Sequence, residues 1–310
     1  MSGARYPLPT DLVALMTHDG RVYPNEAKTW DRMGSSDGGP HPLGTALEQW
    51  FSFATGKHTW VSVRGATIRG LVSARRRAKR SAWEVDCLIN ADDDCSVTQS
   101  LLERMIAGVA KQRAERVFLR LPTESAIVDI ARGAGFFPYA YETLYRADEP
   151  APAEDPGLPL RPASKADAFG IYQLYSAVTP ANVRAIEGAT FREWQASLEH
   201  WGSTPNDLVL EEDGIITGWL RLLAGNEGRF SILVHPERRD ANAFLQSALA
   251  RLRGSRSVLC LIPSHGDSLS RQLRRLAFNT VEDYVAMAKR LAKHTGELAA
   301  ETEGAAVTAS

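Results

Sequence analysis

Ser231-Ile-Leu-Val-His-Pro-Glu-Arg-Arg-Asp-Ala-Asn-Ala-Phe-Leu245 runs from an apolar strand, through a proline and two arginines, into an amphipathic helix. A helix that opens directly after a strand offers unpaired N–H groups and a partial positive charge to an anion, and Arg238 and Arg239 add formal charge there. That is the layout of a phosphate cradle. Close approach of a backbone to a pyrophosphate usually relies on glycine, and here Asp240, Asn242 and Phe244 fill the loop, so the cradle lacks its glycines.

Outward from this stretch, Phe244, Leu245, Ala248, Leu249 and Leu252 keep a 3.6-residue period, which predicts a helix lying on a sheet. A continuous apolar strand, 257–262, follows and closes at Pro263, as expected for a strand covered on both faces. Upstream, 207–210 and 215–223 flank Glu211-Glu-Asp-Gly214 as a hairpin, and 228–234 forms the next strand. Ala277-Phe278 leads into a last strand over 281–289. A strand over 158–162 and helices over 165–178 and 190–200 open this half.

The same order occurs earlier in the chain, and this duplication is the strongest structural signal in the sequence. Strands over 59–63 and 67–74 surround Arg64-Gly65, and a third strand covers 82–89. A helix with Val97, Leu101, Met105, Ile106 and Val109 on one face comes next, then an apolar strand over 116–121 closed by Pro122. Gly135-Phe136 precedes a last strand over 139–146. The opening of this half reads less clearly, with a strand over 11–16 and a helix over 43–55, where Trp50, Phe51 and Phe53 form either a core or the lining of a cleft. Gly70 and Gly218 occupy matching places in the second strand of each hairpin. Pro150, Pro152, Pro156 and Pro159, interspersed with acidic residues, mark a solvated linker, so the expected division is 1–147, a linker over 148–160, 161–292, and a disordered tail over 293–310.

Bulk properties exclude several classes. With 310 residues, 44% hydrophobic and 24% charged content and a formal net charge of -1, the chain gives no electrostatic reason to expect nucleic acid or membrane as its main partner. No apolar run reaches the roughly 18 residues of a membrane helix and no signal peptide opens the chain, so a cytoplasmic location is expected. Cys87, Cys95 and Cys260 are too scattered for a zinc site or a disulfide framework, and are expected to be reduced, mostly buried thiols. The run Arg75-Arg-Arg-Ala-Lys-Arg80 sits between two strands and is expected to be a solvated turn.

The order of a strand, two helices, a hairpin, a central strand, a helix, a parallel strand, a helix and a last strand resembles the GNAT superfamily of N-acetyltransferases. The resemblance is carried by Leu210-Glu-Glu-Asp-Gly-Ile-Ile-Thr-Gly-Trp219, Val234-His-Pro-Glu-Arg-Arg239 and Leu273-Arg-Arg-Leu-Ala-Phe278. It implies an α/β (α+β) protein of two tandem GNAT-like domains, each a mixed, mostly antiparallel sheet flanked by helices. It implies a pseudo-dimer within one chain, itself a monomer or a homodimer. Acetyl-CoA or another acyl-CoA is the implied co-substrate, with no metal, and a small-molecule or peptide amine is the implied acceptor.

Carried onto this sequence, the resemblance places the cofactor at Leu233, Val234, Arg238, Arg239, Asn242 and Ala243. It places the acceptor near Tyr172, Tyr175, Thr179 and Arg184. Glu84, Asp86, His235 and His265 are candidates for moving protons, and for each a structural hydrogen-bonding role competes with the catalytic one. The tyrosine that often serves the family as general acid falls at Ala131 and Leu273, neither of which can donate a proton. In the first half, Asp92, Asp93 and Asp94 would face a pyrophosphate and oppose it, which points to the second half as the active copy. The alternative function is a catalytically degenerate GNAT-fold protein that binds a ligand or a protein partner.

Overall fold

A computed structural model of the chain describes residues 4–6, 22–34, 41–42, 57–64, 67–91, 94–150 and 153–292. The expected strand over 11–16, the helix over 43–55 and the tail over 293–310 lie outside these residues, as do Asp92 and Asp93. Two short strands, β1 (Val22–Tyr23) and β2 (His41–Pro42), pair with each other. Among the described residues, no helix is long and apolar enough to cross a membrane.

The first half contributes β3 (Lys57–Arg64), β4 (Thr67–Arg76), β5 (Ala82–Asn90), helix α1 (Cys95–Ala110), β6 (Arg116–Pro122), α2 (Ile127–Gly133) and β7 (Phe137–Asp148). The second contributes β8 (Arg161–Pro162), α3 (Ala168–Val178), α4 (Ala181–Glu187), α5 (Phe191–Ser197), β9 (Asn206–Glu212), β10 (Ile215–Leu223), β11 (Glu227–Val234), α6 (Ala241–Arg251), β12 (Ser257–Pro263), α7 (Asp267–Arg275) and β13 (Asn279–Arg290). Three helices, not two, therefore precede the second hairpin. α4, which starts directly after Pro180, is only seven residues long and has too few turns to show a period.

Local chemistry explains the elements. Asp213 and Gly214, both at positive φ, form the two-residue turn between β9 and β10, the geometry that matches strand twist. The apolar faces of α1 (Val97, Leu101, Met105, Val109) and α6 (Phe244, Leu245, Ala248, Leu249) are buried on the sheet in two separate cores. β6 and β12 are buried almost throughout, as continuous apolar strands should be. The duplication extends to backbone detail: Gly135 and Ala277 both take positive φ before the buried Phe136 and Phe278. At the outer edge of the first half, Arg5 bridges Val61 where Arg161 of β8 bridges Val209 in the second.

All eleven long-sheet strands form one sheet, in the order β3-β4-β5-β6-β13-β7-β12-β11-β10-β9-β8. The last strands have changed places. β13 pairs with β6 from Tyr284↔Pro122 to Arg290↔Arg116, β7 pairs with β12 from Ser257↔Asp148 to Pro263↔Glu142, and the two run antiparallel to each other at the centre. Each half is thus closed by a strand of the other, which makes the chain a pseudo-dimer and brings side chains of the first half to the edge of the second half's central crevice.

One expectation about side chains is overturned. Arg75 and Arg77 do not sit on a solvated turn: β4 continues to Arg76, Arg75 binds Asp31 and Glu84, and Arg77, 8% exposed, binds Glu84 and Glu199. Carboxylates distant in sequence compensate these charges, which a local reading cannot see. Cys95 is exposed at the start of α1, whereas Cys87 and Cys260 are buried.

Candidate functional site

In each half the two parallel central strands pair only at one end and then part. β11 and β12 are paired from Glu227↔Ser257 to Phe230↔Cys260, and no further. Beyond Phe230, β11 stays bonded to β10 through Ser231, Ile232, Leu233 and Val234, and β12 stays bonded to β7 through Leu261, Ile262 and Pro263. Their facing edges have no ladder, so each presents backbone groups that need partners. This gap opens into a cavity of about 530 Å³.

The matching gap in the first half is filled by the chain itself. β5 and β6 pair only from Ala82↔Arg116 to Glu84↔Phe118. Beyond them, Glu26 N–H donates to Leu88 O (2.9 Å) and Lys28 N–H donates to Arg120 O (2.9 Å), so residues 26–28 bridge the two strands. Asn25 completes the plug: its Oδ1 accepts from Leu88 N–H (2.8 Å) and its Nδ2 donates to Asp86 O (3.2 Å). At the head of α1, Asp94 accepts from Ser96 N–H and pairs with Arg69 at 2.6 Å, so a carboxylate already caps that helix.

On the α6 side of the open cavity, Leu233, Val234, His235, Pro236, Arg238 and Ala241 line the wall. The Asp240 side chain makes no cap hydrogen bond to α6, so the first turn of that helix keeps free N–H groups. Arg238 is held by Asp240, Glu212 and Thr217 Oγ1, which spends its charge locally. Arg239 and Asn242 are exposed beside the same helix start, and Ala243 closes the first turn onto Asp240 O at 2.8 Å. Phe244 turns away from the gap into the core, where it packs against Gly218; a Cβ on Gly218 would come within 2.1 Å of the ring. His265 lines the β12 side, and burial pulls its pKa below the usual histidine value although Glu142 partly offsets this.

The other side of the cavity is a chamber between the halves. Four indoles, Trp30, Trp194, Trp201 and Trp219, line it, with Tyr175 and Thr179. Of the other two residues expected on this side, Tyr172 donates to Ala189 O at 2.8 Å within an aromatic cluster, and neither it nor Arg184 lines the cavity. Asp86 lies elsewhere as well. It is fully buried in the first half, with Lys57 Nζ at 2.9 Å, Arg32 at 3.5 Å and a hydrogen bond from Ser73 Oγ. Burial alone would raise its pKa, but Lys57, Arg32 and Ser73 together hold it below the usual aspartate value. Glu84, on the same strand, pairs with Arg75 and Arg77.

The polar end of the chamber carries three glutamates, Glu142, Glu187 and Glu199. Arg120 pairs with Glu142 (2.6 Å) and Glu199 (2.7 Å), and Arg77 reaches Glu199 at 3.5 Å. Burial would raise the pKa of Glu199, yet these two guanidiniums draw it down to about 2. Glu187 differs. Its carboxylate accepts one hydrogen bond, from Tyr175 OH at 2.9 Å, and among the described residues no cation lies within ion-pair distance of that carboxylate. It sits deep in the protein but keeps part of its surface open to the cavity. Burial first, and then the nearby charge of Glu142, push its pKa above the usual glutamate value.

Glu187 is the last residue of α4, and the first half's sheet fixes that end. Arg116 Nη1 donates to Ile186 O (3.0 Å) and Glu187 O (2.9 Å), Arg116 Nη2 donates to Glu193 O (3.2 Å), and Arg290 of β13 donates to Ala185 O. Glu187 stands in no sequence motif, although one local signal marks it. A carboxylate closing a helix opposes the helix dipole, and such local conflicts concentrate at functional sites.

No family model matches the sequence, and no curated protein is significantly similar to it. Solved structures are similar in fold. A GCN5-related N-acetyltransferase from Sphaerobacter thermophilus is 16% identical, with a TM-score of 0.57, over 93% of this chain and 95% of that one. A protein of Pyrococcus horikoshii assigned as an acetyltransferase is 13% identical, with a TM-score of 0.51, over 94% and 89%. The fold is that of the GNAT N-acetyltransferases, present here in two tandem copies.

Proposed function

We propose that the chain is an acyl-CoA-dependent N-acyltransferase in which the second half, 161–292, carries the chemistry and the first half, 1–147, shapes the acceptor chamber. One observation carries this reading: of two equivalent strand gaps, the one between β11 and β12 is open above a cavity of about 530 Å³, and the one between β5 and β6 is plugged by residues 25–28. Unpaired amides beyond Phe230 suit the pantetheine arm of an acyl-CoA, and the open start of α6 with the exposed Arg239 suits its phosphates. Acetyl-CoA is the simplest donor of this class.

An ammonium entering the chamber meets Glu187, the one glutamate there that lacks a cation. Glu187 takes the ammonium proton, the free amine attacks the thioester carbonyl, the C–N bond forms, and the C–S bond breaks with the electron pair leaving on sulfur. A strand amide beyond Phe230 stabilises the oxyanion. Leu273, at the position of the family's general acid, is buried and apolar, so the second proton shed by the attacking nitrogen reaches the thiolate by way of water.

The test is a thermal shift with acetyl-CoA together with thiol release in the presence of amines. Saturation at a hundred times Kd adds about 2.7 kcal/mol of stability. The second reading, a GNAT-fold protein that binds without catalysis, draws on the locked charge of Arg238 and the absent acid at Leu273. Stabilisation by acyl-CoA with no thiol release for small amines or peptides would select it.

A further inference from the structure

We infer that the chamber is built for an amine that carries an aromatic or flat apolar body and no carboxylate, an arylalkylamine-type acceptor. The inference rests on the acyltransferase reading for the fate of the amine, but not for its binding. Three features of the chamber point the same way. The first is its unbalanced charge: every arginine on its wall already has a carboxylate, Arg77 and Arg120 through Glu199, Arg221 through Asp207 (2.7 and 2.8 Å), and Arg238 through Asp240. Glu187 has none. A cationic ligand completes Glu187, whereas an anionic group would find no uncommitted guanidinium and would add to the charge of Glu142 and Glu199.

The second feature is the wall. Trp30 and Trp201 meet edge to face at 5.4 Å between ring centroids, and Trp219 stands beyond Arg221, whose guanidinium lies 5.7 Å from Trp201 and 5.0 Å from Trp219. Opposite them, Trp194 packs against Tyr175. Such surfaces hold a ring by stacking and give little to a hydrated chain of amines. The third is position: the same residue that demands a cation, Glu187, hydrogen-bonds the Tyr175 hydroxyl, which places the charge next to the aromatic wall.

The experiment is a calorimetric titration of the full chain, without acyl-CoA, using tryptamine and 2-phenylethylamine, then L-tryptophan, L-phenylalanine and spermidine. The arylalkylamines should bind at least roughly tenfold more tightly than the two amino acids, which add only a carboxylate, and more tightly than spermidine. Glu187→Gln should cost the arylalkylamines roughly tenfold or more, and Trp219→Ala should weaken them without restoring the amino acids. Amino acids or spermidine binding as well as the arylalkylamines, or no loss in Glu187→Gln, would overturn the inference. Thiol release from acetyl-CoA is followed in parallel. Amine binding without thiol release would leave the inference standing and defeat the transferase reading; thiol release confined to another acceptor class would do the reverse.

Discussion

Replacing Glu187 by glutamine should separate catalysis from stability. The glutamine keeps an oxygen to accept from Tyr175 OH, so the bond at 2.9 Å survives while the proton acceptor is lost. A positioned general base contributes about 10²- to 10⁴-fold, so kcat/KM should fall by about a hundredfold or more, equivalent to at least about 2.7 kcal/mol of transition-state stabilisation. The pH dependence carries the sharper signature. The Glu187 pKa is raised above 4.5 by burial and by Glu142, so the wild-type rate should climb with pH through a limb above that value, and the limb should vanish in the variant. Stability should move the other way. A folded-state pKa above the unfolded one means that the wild type loses stability as pH rises through that window, so at neutral pH Glu187→Gln should melt no lower than the wild type. Thiol release against pH and thermal melts at matched pH test both halves of the claim. Retention of the wild-type rate, or an unchanged acidic limb, would refute the assignment of Glu187 as the base.

Gly218→Ala should lower the melting temperature, because the new methyl would meet the Phe244 ring at 2.1 Å; overpacking of this kind costs about 1–3 kcal/mol, and an unchanged melt would show that the ring can yield. Asp86→Asn leaves Lys57 and Arg32 facing a neutral group and should cost about 3–5 kcal/mol near neutral pH. Because the Asp86 pKa is depressed, its contribution is present above 3.8 and fades as pH falls through the folded value, so wild type and variant should converge in acid melts. Arg239→Glu should weaken acetyl-CoA by roughly ten- to a hundredfold in a titration, since the exposed guanidinium beside α6 would be exchanged for a charge that repels phosphate, and unaltered affinity would place the phosphates elsewhere.

Much of the fold was legible because its signals are local. The β9–β10 hairpin follows from Asp213-Gly214, the helix faces from Val97 to Val109 and from Phe244 to Leu252, and the duplicated ends from Phe136 and Phe278. The exchange of β7 and β13 was not legible, since either last strand could satisfy either edge and no residue pattern chooses between them. The plug at 25–28 has no periodicity; it is defined by bonds to Leu88, Asp86 and Arg120, far along the chain. The α6 wall of the cavity lies on the strand-to-helix stretch at 231–245, which is legible locally, whereas the wall that holds Glu187 arises where α4 meets the other half's sheet. Arg116 and Glu187, on opposite sides of the linker, meet there only because the two halves share one sheet.

The most direct measurement is a titration of the full chain with acetyl-CoA, with backbone hydrogen exchange followed at both strand gaps. One molecule should bind per chain, and amide protection should rise across 231–234 and at the start of α6 while 85–89 stays unchanged. Protection at 85–89, two molecules per chain, or no binding at all would contradict the claim that the second gap alone receives an acyl-CoA.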